Sequence, residues 1–175
     1  MKQPLNYLFL KLQAITLLVL GRKRAALERF DAMRTLAPFN LYVMASRAHL
    51  LGELGDKHGA IEALGEITRR HPEGSAGWFN LGYMLDDCGR HEEAEPAFRR
   101  ALEAEPKMDR AWYGLALVLI RQRRFDEAVE ALKRNTELQP MSPFGWYQLA
   151  RVHVDRQEPE EAARIIRHLH GFEPK

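Results

Sequence analysis

The sequence predicts an all-α fold: a solenoid of about ten antiparallel helices, arranged as five tandem pairs, with no strand. Three observations carry the prediction. First, the chain repeats every 34 residues: Pro38, Pro72, Pro106, Pro140 and Pro174 keep that spacing, as do Ala26, Ala60, Ala94, Ala128 and Ala162. Trp78, Trp112 and Trp146 share the register, and so does a column of small residues at Ala14, Ala48, Gly82, Ala116 and Ala150. Second, apolar residues within a repeat recur at the three- and four-residue spacing of an amphipathic helix. Third, glycine and proline punctuate at constant places, with Gly21, Gly55 and Gly89 in mid-repeat and proline at the end. A fixed period of this length marks stacked supersecondary units rather than one globular core.

The repeats run over residues 7–40, 41–74, 75–108, 109–142 and 143–175, read together as one solenoid domain over 1–175. The first opens in the run 5–20, LNYLFLKLQAITLLVL, in which twelve of sixteen residues are apolar. Such a run invites a membrane or export reading. A spanning helix needs roughly 20 apolar residues, whereas Lys11 and Gln13 interrupt this one. Arg22, Lys23 and Arg24 follow it, a basic flank that disfavours export of what comes after. No small-residue cleavage pattern follows either. The run is read as a buried or partner-facing helix, with its partner helix passing through Ala26 and Phe30 to Pro38. The second repeat pairs a helix holding Met44, Arg47 and Ala48 with one holding Ala60 and Leu64.

In the third repeat Trp78, Leu81, Gly82 and Leu85 share one face of the first helix, and Ala94, Phe98, Ala101 and Leu102 one face of the second. Between them Asp87-Cys88-Gly89-Arg90 supplies a break in which glycine can take the left-handed conformation that closes a helix. Ser75 and Asp109 are placed as N-caps of the third and fourth repeats. Ser142-Pro143 opens the fifth with a cap followed by proline at the first helical position. Arg123 and Gln157 stand where earlier repeats have glycine. The two small columns fall where antiparallel helices must approach closely, the tryptophans supply bulk between neighbours, and each proline stops a second helix. Pro96, inside the second helix of the third repeat, predicts a local distortion.

Composition bounds the function classes. The 175 residues include 26 Lys plus Arg against 24 Asp plus Glu, a net charge of +2, with 46% apolar and 29% charged residues. A disordered chain would be poorer in apolar residues, and a nucleic-acid binder usually concentrates positive charge. The single cysteine, Cys88, excludes an intrachain disulfide framework and a cysteine-rich zinc site.

Trp78-x-x-Leu81-Gly82, followed by Ala94, Phe98, Ala101 and Pro106, resembles the tetratricopeptide repeat. The resemblance covers nearly the whole chain. Its first two repeats depart from the pattern, with Leu10 and Met44 for tryptophan and Gln13 and Arg47 for leucine. Later departures are Asn135 and Leu169 at a small position and His153 at an apolar one. The resemblance implies a right-handed superhelix whose first helices line a concave face, and a non-enzymatic scaffold or adaptor that binds a peptide or helical segment of a partner protein there. The groove positions it implies are Tyr42, Ala45, Ser46 and His49, then Phe79, Asn80, Tyr83 and Asp87. The fourth and fifth repeats add Arg110, Tyr113, Leu117 and Arg121, and Phe144, Tyr147, Gln148 and Arg151.

Aromatic and arginine side chains most often carry interface energy. The candidate partner-binding set is therefore Phe79, Asn80, Tyr83, Arg110, Tyr113, Leu117, Phe144, Tyr147 and Arg151. Phe79, Tyr83, Tyr113 and Tyr147 supply apolar contact, while Asn80, Arg110 and Arg151 orient polar groups. Arg110, Arg121 and Arg151 suggest an acidic segment, against the plainer reading that they are solvated or paired with Asp86 and Asp87. One subclass of the family grips a peptide's terminal carboxylate with five donors. Those places in repeats two to four hold Ala45, His49, Asn80, Arg110 and Gly114, so a free carboxylate is not expected to be the main determinant.

Other chemistry is weaker. His168-x-His170 puts two rings on different sides of a helix, and no HExxH or second cysteine accompanies them, so no metal or other cofactor is expected. Cys88 is read as a small buried residue. Glu92-Glu93 and Glu160-Glu161 sit in first turns, where acid suits the helix dipole. Arg69-Arg70, Arg99-Arg100 and Arg121-x-Arg123-Arg124 occupy different places in their repeats and form no nucleic-acid-binding stripe. A cytoplasmic location is expected. The apolar first helix keeps an alternative open: a membrane-associated assembly factor, or a regulatory subunit of a separate enzyme, attached through that helix. Membrane contact is the less favoured of these, and self-association through exposed solenoid ends is a further outcome.

Overall fold

The computed structural model describes residues 5–171, so Pro174 of the proline column lies outside the described residues. Among the described residues there are ten α-helices and no strand. They are α1 (Leu5–Val19), α2 (Lys23–Leu36), α3 (Leu41–Glu53), α4 (Lys57–Arg70), α5 (Ser75–Asp87), α6 (His91–Ala104), α7 (Asp109–Arg121), α8 (Phe125–Leu138), α9 (Pro143–Asp155) and α10 (Pro159–His170). Two compact units divide between Met84 and Leu85, inside α5.

In the first unit α1 packs on α2, α2 on α3 and α3 on α4. One apolar cluster joins Tyr7, Ala14, Ala26, Phe30, Met33, Val43 and Leu50. A second joins Met44, Ala48, Leu64 and Ile67, with Ala63, Leu81 and Met84 against it. In the second unit α6 packs on α7, α7 on α8, α8 on α9 and α9 on α10. Its buried residues include Phe98, Leu115, Leu119, Leu132, Leu149, Val152 and Ile165. Each large side chain so buried contributes about 1.5–3 kcal/mol.

The periodic columns have physical roles in these contacts. Both small columns are buried throughout: Ala14, Ala48, Gly82, Ala116 and Ala150, and Ala26, Ala60, Ala94, Ala128 and Ala162. Gly21, Gly55 and Gly89 take φ of 69°, 86° and 76°, the left-handed conformation that ends the first helix of each pair. Arg123 and Gln157 adopt the same conformation, at 60° and 62°, despite carrying side chains.

Tryptophan and proline are linked in a way their spacing alone does not state. The indole N–H of Trp78 donates to the carbonyl of Pro72 at 2.8 Å, Trp112 to Pro106 at 2.9 Å and Trp146 to Pro140 at 3.0 Å. The proline stops one helix, and its free carbonyl receives the next helix's tryptophan.

Several local expectations change. Asp109 is the first helical residue of α7, and its N-cap is Met108. α5 likewise starts at Ser75, with the amides of Gly77 and Trp78 bonded to the carbonyl of Gly74 one residue earlier. Side-chain caps occur instead at Asn40, which accepts from the Val43 amide at 3.2 Å, and Asp56, which accepts from Gly59 at 2.9 Å. Ser142 is the N-cap of α9 and Pro143 its first residue, but the serine hydroxyl makes no capping bond. Pro96 lies inside an unbroken α6. Its ring faces solvent, so the lost backbone bond is tolerated without ending the helix.

Cys88 is exposed, not buried, because it lies in the turn beyond α5, where no neighbour covers it. The departures at Asn135 and His153 are accommodated. Asn135 donates from Nδ2 to the Asp109 carbonyl at 2.9 Å, and Gly145 leaves room for its Oδ1. His153 is 9% exposed, with Nδ1 2.6 Å from an oxygen of Glu158.

Candidate protein-binding surface

A first helix of each repeat can hold three residues on one side at i, i+3 and i+7. On α7 these are Arg110, Tyr113 and Leu117; on α9, one period later, Phe144, Tyr147 and Arg151. Both triplets belong to the second unit. Phe144, Tyr147, Arg110 and Arg151 are exposed, while Tyr113 and Leu117 are half-buried. Phe79, Asn80 and Tyr83 lie on the part of α5 that belongs to the first unit. Asn80 and Tyr83 are exposed and Phe79 is half-buried. The nine candidates thus divide three to one unit and six to the other.

A large aromatic side chain left in water is a costly choice for a surface position unless something covers it. In the second unit two such rings, Phe144 and Tyr147, stand on one helix beside a cation. Among the described residues Arg151 makes no ion pair. Phe79 and Arg110 are both engaged with neighbours.

The remaining arginines of interest are committed. Nη1 of Arg121 lies 2.8 Å from each carboxylate oxygen of Asp86, whose Oδ1 is also 2.8 Å from Nδ1 of His91. Arg121 therefore ties α7 to the end of α5 and is removed from the set of cations on offer. Arg124 joins Glu95 and Glu127, each at 2.6 Å, and Arg99 reaches Glu95 at 2.8 Å and Glu127 at 3.0 Å. Hydrogen bonding from Arg124 holds the Glu127 carboxyl below the ordinary carboxylate range. Burial pushes Glu95 up, yet the bonds from Arg99 and Arg124 outweigh it and leave its carboxyl lowered. The same two carboxylates raise Arg124.

Sequence reasoning missed this network, although one signal was present. Arg90 and Glu93 recur one period later as Arg124 and Glu127, and both pairs close at 2.7 Å or less. The cross-helix members Glu95 and Arg99 carry no such repeat. The pairing of Arg121 with Asp86, the plainer of the two readings of that arginine, is observed, whereas His91 as a second partner of the same carboxylate was not anticipated, since it lies on a third helix.

Among the described residues no three His, Cys, Asp or Glu side chains converge on a metal position. The ring of His168 packs edge-on against Trp146 with centroids 4.4 Å apart. Among the described residues no helix is long and apolar enough to cross a membrane.

Comparisons with known proteins bear on this architecture. Tetratricopeptide repeat profiles match residues 46–107, 85–143 and 143–168. A comparison with curated protein sequences finds no match. Among solved structures, a MamA RS-1 double mutant superposes with a TM-score of 0.92 at 17% identity, covering 98% of this chain and 96% of that one. MamA 41-end from Desulfovibrio magneticus RS-1 gives 0.91 at 17% identity, covering 98% and 97%. YrrB, described as a TPR protein with an unusual peptide-binding site, gives 0.80 at 18% identity, covering 93% of this chain and 84% of its own. At these identities the likeness concerns the fold alone. Period, helix pairing and a family match over more than half of the sequence agree, and the chain belongs to the tetratricopeptide repeat proteins.

Proposed function

We propose that this interaction scaffold is a non-enzymatic cytoplasmic adaptor that holds a peptide or helical segment of a partner protein against its first-helix faces. The observation that carries the reading is the pair of equivalent triplets, Arg110, Tyr113, Leu117 and Phe144, Tyr147, Arg151, on α7 and α9. Phe144 and Tyr147 supply apolar area, and Arg151 supplies an unpaired donor for an acidic or carbonyl group. On α5, Phe79, Asn80 and Tyr83 extend the same logic to the third repeat. The peptide-binding site named for YrrB supports the class of ligand. A protein partner is favoured over nucleic acid because the arginine pairs are neutralised locally: Arg99, Arg100 and Arg124 each face a glutamate.

A displayed library of short peptides, selected on the wild-type chain, tests the reading. Tyr147→Ala and Arg151→Glu should each weaken the selected peptides about tenfold or more, since interface hot spots exceed roughly 1.4 kcal/mol, with unchanged helicity. Selected peptides that bind both variants as tightly as wild type would place the site elsewhere. Amidating a selected peptide's C-terminus should change affinity little.

A further inference from the structure

We propose that α1 is a self-association surface, on which a second copy of the chain docks α1 against α1, antiparallel. Leu5, Leu8, Phe9, Leu12, Ile15 and Val19 form one exposed stripe at helical spacing. It carries no charge. Lys11, the one charged residue of α1, is held over the Tyr42 ring at 4.7 Å.

At three of the six places the other repeats differ from α1 in chemistry or burial. At the place of Val19 they carry Glu53, Asp87, Arg121 and Asp155; at the place of Leu12 they carry Ser46, Asn80, Gly114 and Gln148. In α1 these places are apolar, with Leu12 63% and Val19 82% exposed. At the place of Phe9 the later repeats have Val43, Gly77, Ala111 and Gly145, of which Val43, Ala111 and Gly145 are buried, whereas Phe9 is 61% exposed. Leucine and valine at places that elsewhere carry mostly polar or charged residues suit a helix that is covered.

Area and charge select the occupant. The exposed parts of the six side chains amount to roughly 800 Å², about one partner's share of a standard interface. Among the described residues α10 exposes Glu160, Arg164, Arg167 and His168 around Ile166, a mostly charged and polar face that matches the stripe less well than a second α1 does. A two-fold contact of α1 with itself is self-complementary. Arg22 and Arg24 are exposed just beyond α1. Parallel pairing would bring the two clusters together, whereas antiparallel pairing about Leu12 separates them by about 20 Å, the length of the helix. A helix lying on lipid usually carries Lys and Arg along its polar face; within α1 the one charged residue, Lys11, is engaged with the Tyr42 ring, and Asn6, Gln13 and Thr16 are neutral.

Light scattering on the full chain through a dilution series tests the proposal. Wild type should show twice the chain mass, dissociating on dilution, and Leu12→Asp should show a single chain with an unchanged helical spectrum. A wild type that is monomeric at every concentration overturns the proposal, as does a Leu12→Asp chain that stays dimeric. Monomeric wild type that binds phosphatidylglycerol vesicles, with binding lost in Leu12→Asp, assigns the stripe to lipid and overturns it too. Should Leu12→Asp not fold, Leu12→Cys and Val19→Cys in a Cys88→Ser background decide the matter. Leu12→Cys should form a disulfide-linked dimer on oxidation and Val19→Cys should not, its sulfurs lying about 20 Å apart; linkage of both or neither overturns antiparallel pairing. Peptide binding by α7 and α9 is measured independently, so failure here leaves that reading intact.

Discussion

Replacing Gly114 by alanine sets local propensity against tertiary packing, and the two predict opposite signs. Gly114 lies in the interior of α7. Alanine there should stabilise by up to about 1 kcal/mol from helix propensity alone. A Cβ at this position would stand 2.6 Å from both Cε1 and Cζ of Phe98 and 3.2 Å from Cδ1. Ordinary carbon contacts start near 3.5 Å, so the ring must retreat by roughly 0.9 Å. Phe98 is 1% exposed and its ring is rigid, leaving no slack. Overpacking of this kind costs about 1–3 kcal/mol, and here the upper part of the range applies. The net effect is a loss of about 1–2 kcal/mol, or about 2–8 °C in Tm for a chain of this size.

Urea unfolding followed by far-UV circular dichroism measures it. Phe98→Leu removes the clashing carbons, so Gly114→Ala placed on that background should cost at least about 1 kcal/mol less than it does alone. Gly65→Ala is the control. The neighbour there is only the tip of Arg69, with Nη1 at 3.3 Å, which can swing away. Gly65→Ala should therefore stabilise by about 0.5–1 kcal/mol. A Gly114→Ala chain as stable as Gly65→Ala, or strict additivity with Phe98→Leu, would refute the packing argument.

Three further outcomes follow from the geometry. Gln157 holds φ at 62° without being glycine, so Gln157→Gly should raise stability by about 1 kcal/mol, whereas Gly55→Ala, at 86°, should lower it by a similar amount; chemical denaturation reads both. Trp146→Phe keeps an aromatic ring but removes the donor to the Pro140 carbonyl and part of the indole's contact area, and should cost at least about 1 kcal/mol in the same assay. Acid should weaken the fold through the carboxylates lowered by their partners: Glu127 by Arg124, Glu158 by His153, and Glu95 by Arg99 and Arg124 against its own burial. A folded pKa below the unfolded one means stability present above the ordinary carboxylate value of 4.5 and lost as pH falls through the lowered value. Thermal midpoints should decline below about pH 5 and decline less steeply in Glu127→Gln.

Much of the architecture was legible because the repeat writes one packing solution five times. The buried small columns and the left-handed glycines were located by period alone, and each does in space what its chemistry suggests. Helix starts were less legible: residues 74 and 108, glycine and methionine, hold the places assigned to serine and aspartate next to them. The candidate surface was legible as a set of positions, since a helix face follows from spacing. The state of each side chain on it was not. Tyr113 and Tyr147 occupy equivalent places, yet one is half-buried and the other exposed. Arg121 and Arg151 are both arginines near the ends of first helices, yet Asp86 binds only the first.

The sequence by itself determined that this chain is five pairs of helices in fixed register, because period, amphipathicity and turn chemistry are properties of neighbours along the backbone. Only the tertiary structure decided which cations are spent on carboxylates, that Cys88 faces water, that indole N–H groups close onto proline carbonyls, and that the polar residues Asn135 and His153 are satisfied inside the second unit. These depend on distances between residues far apart in the chain. Hydrogen bonds and ion pairs act over a few ångströms in space, and a linear pattern does not encode that separation.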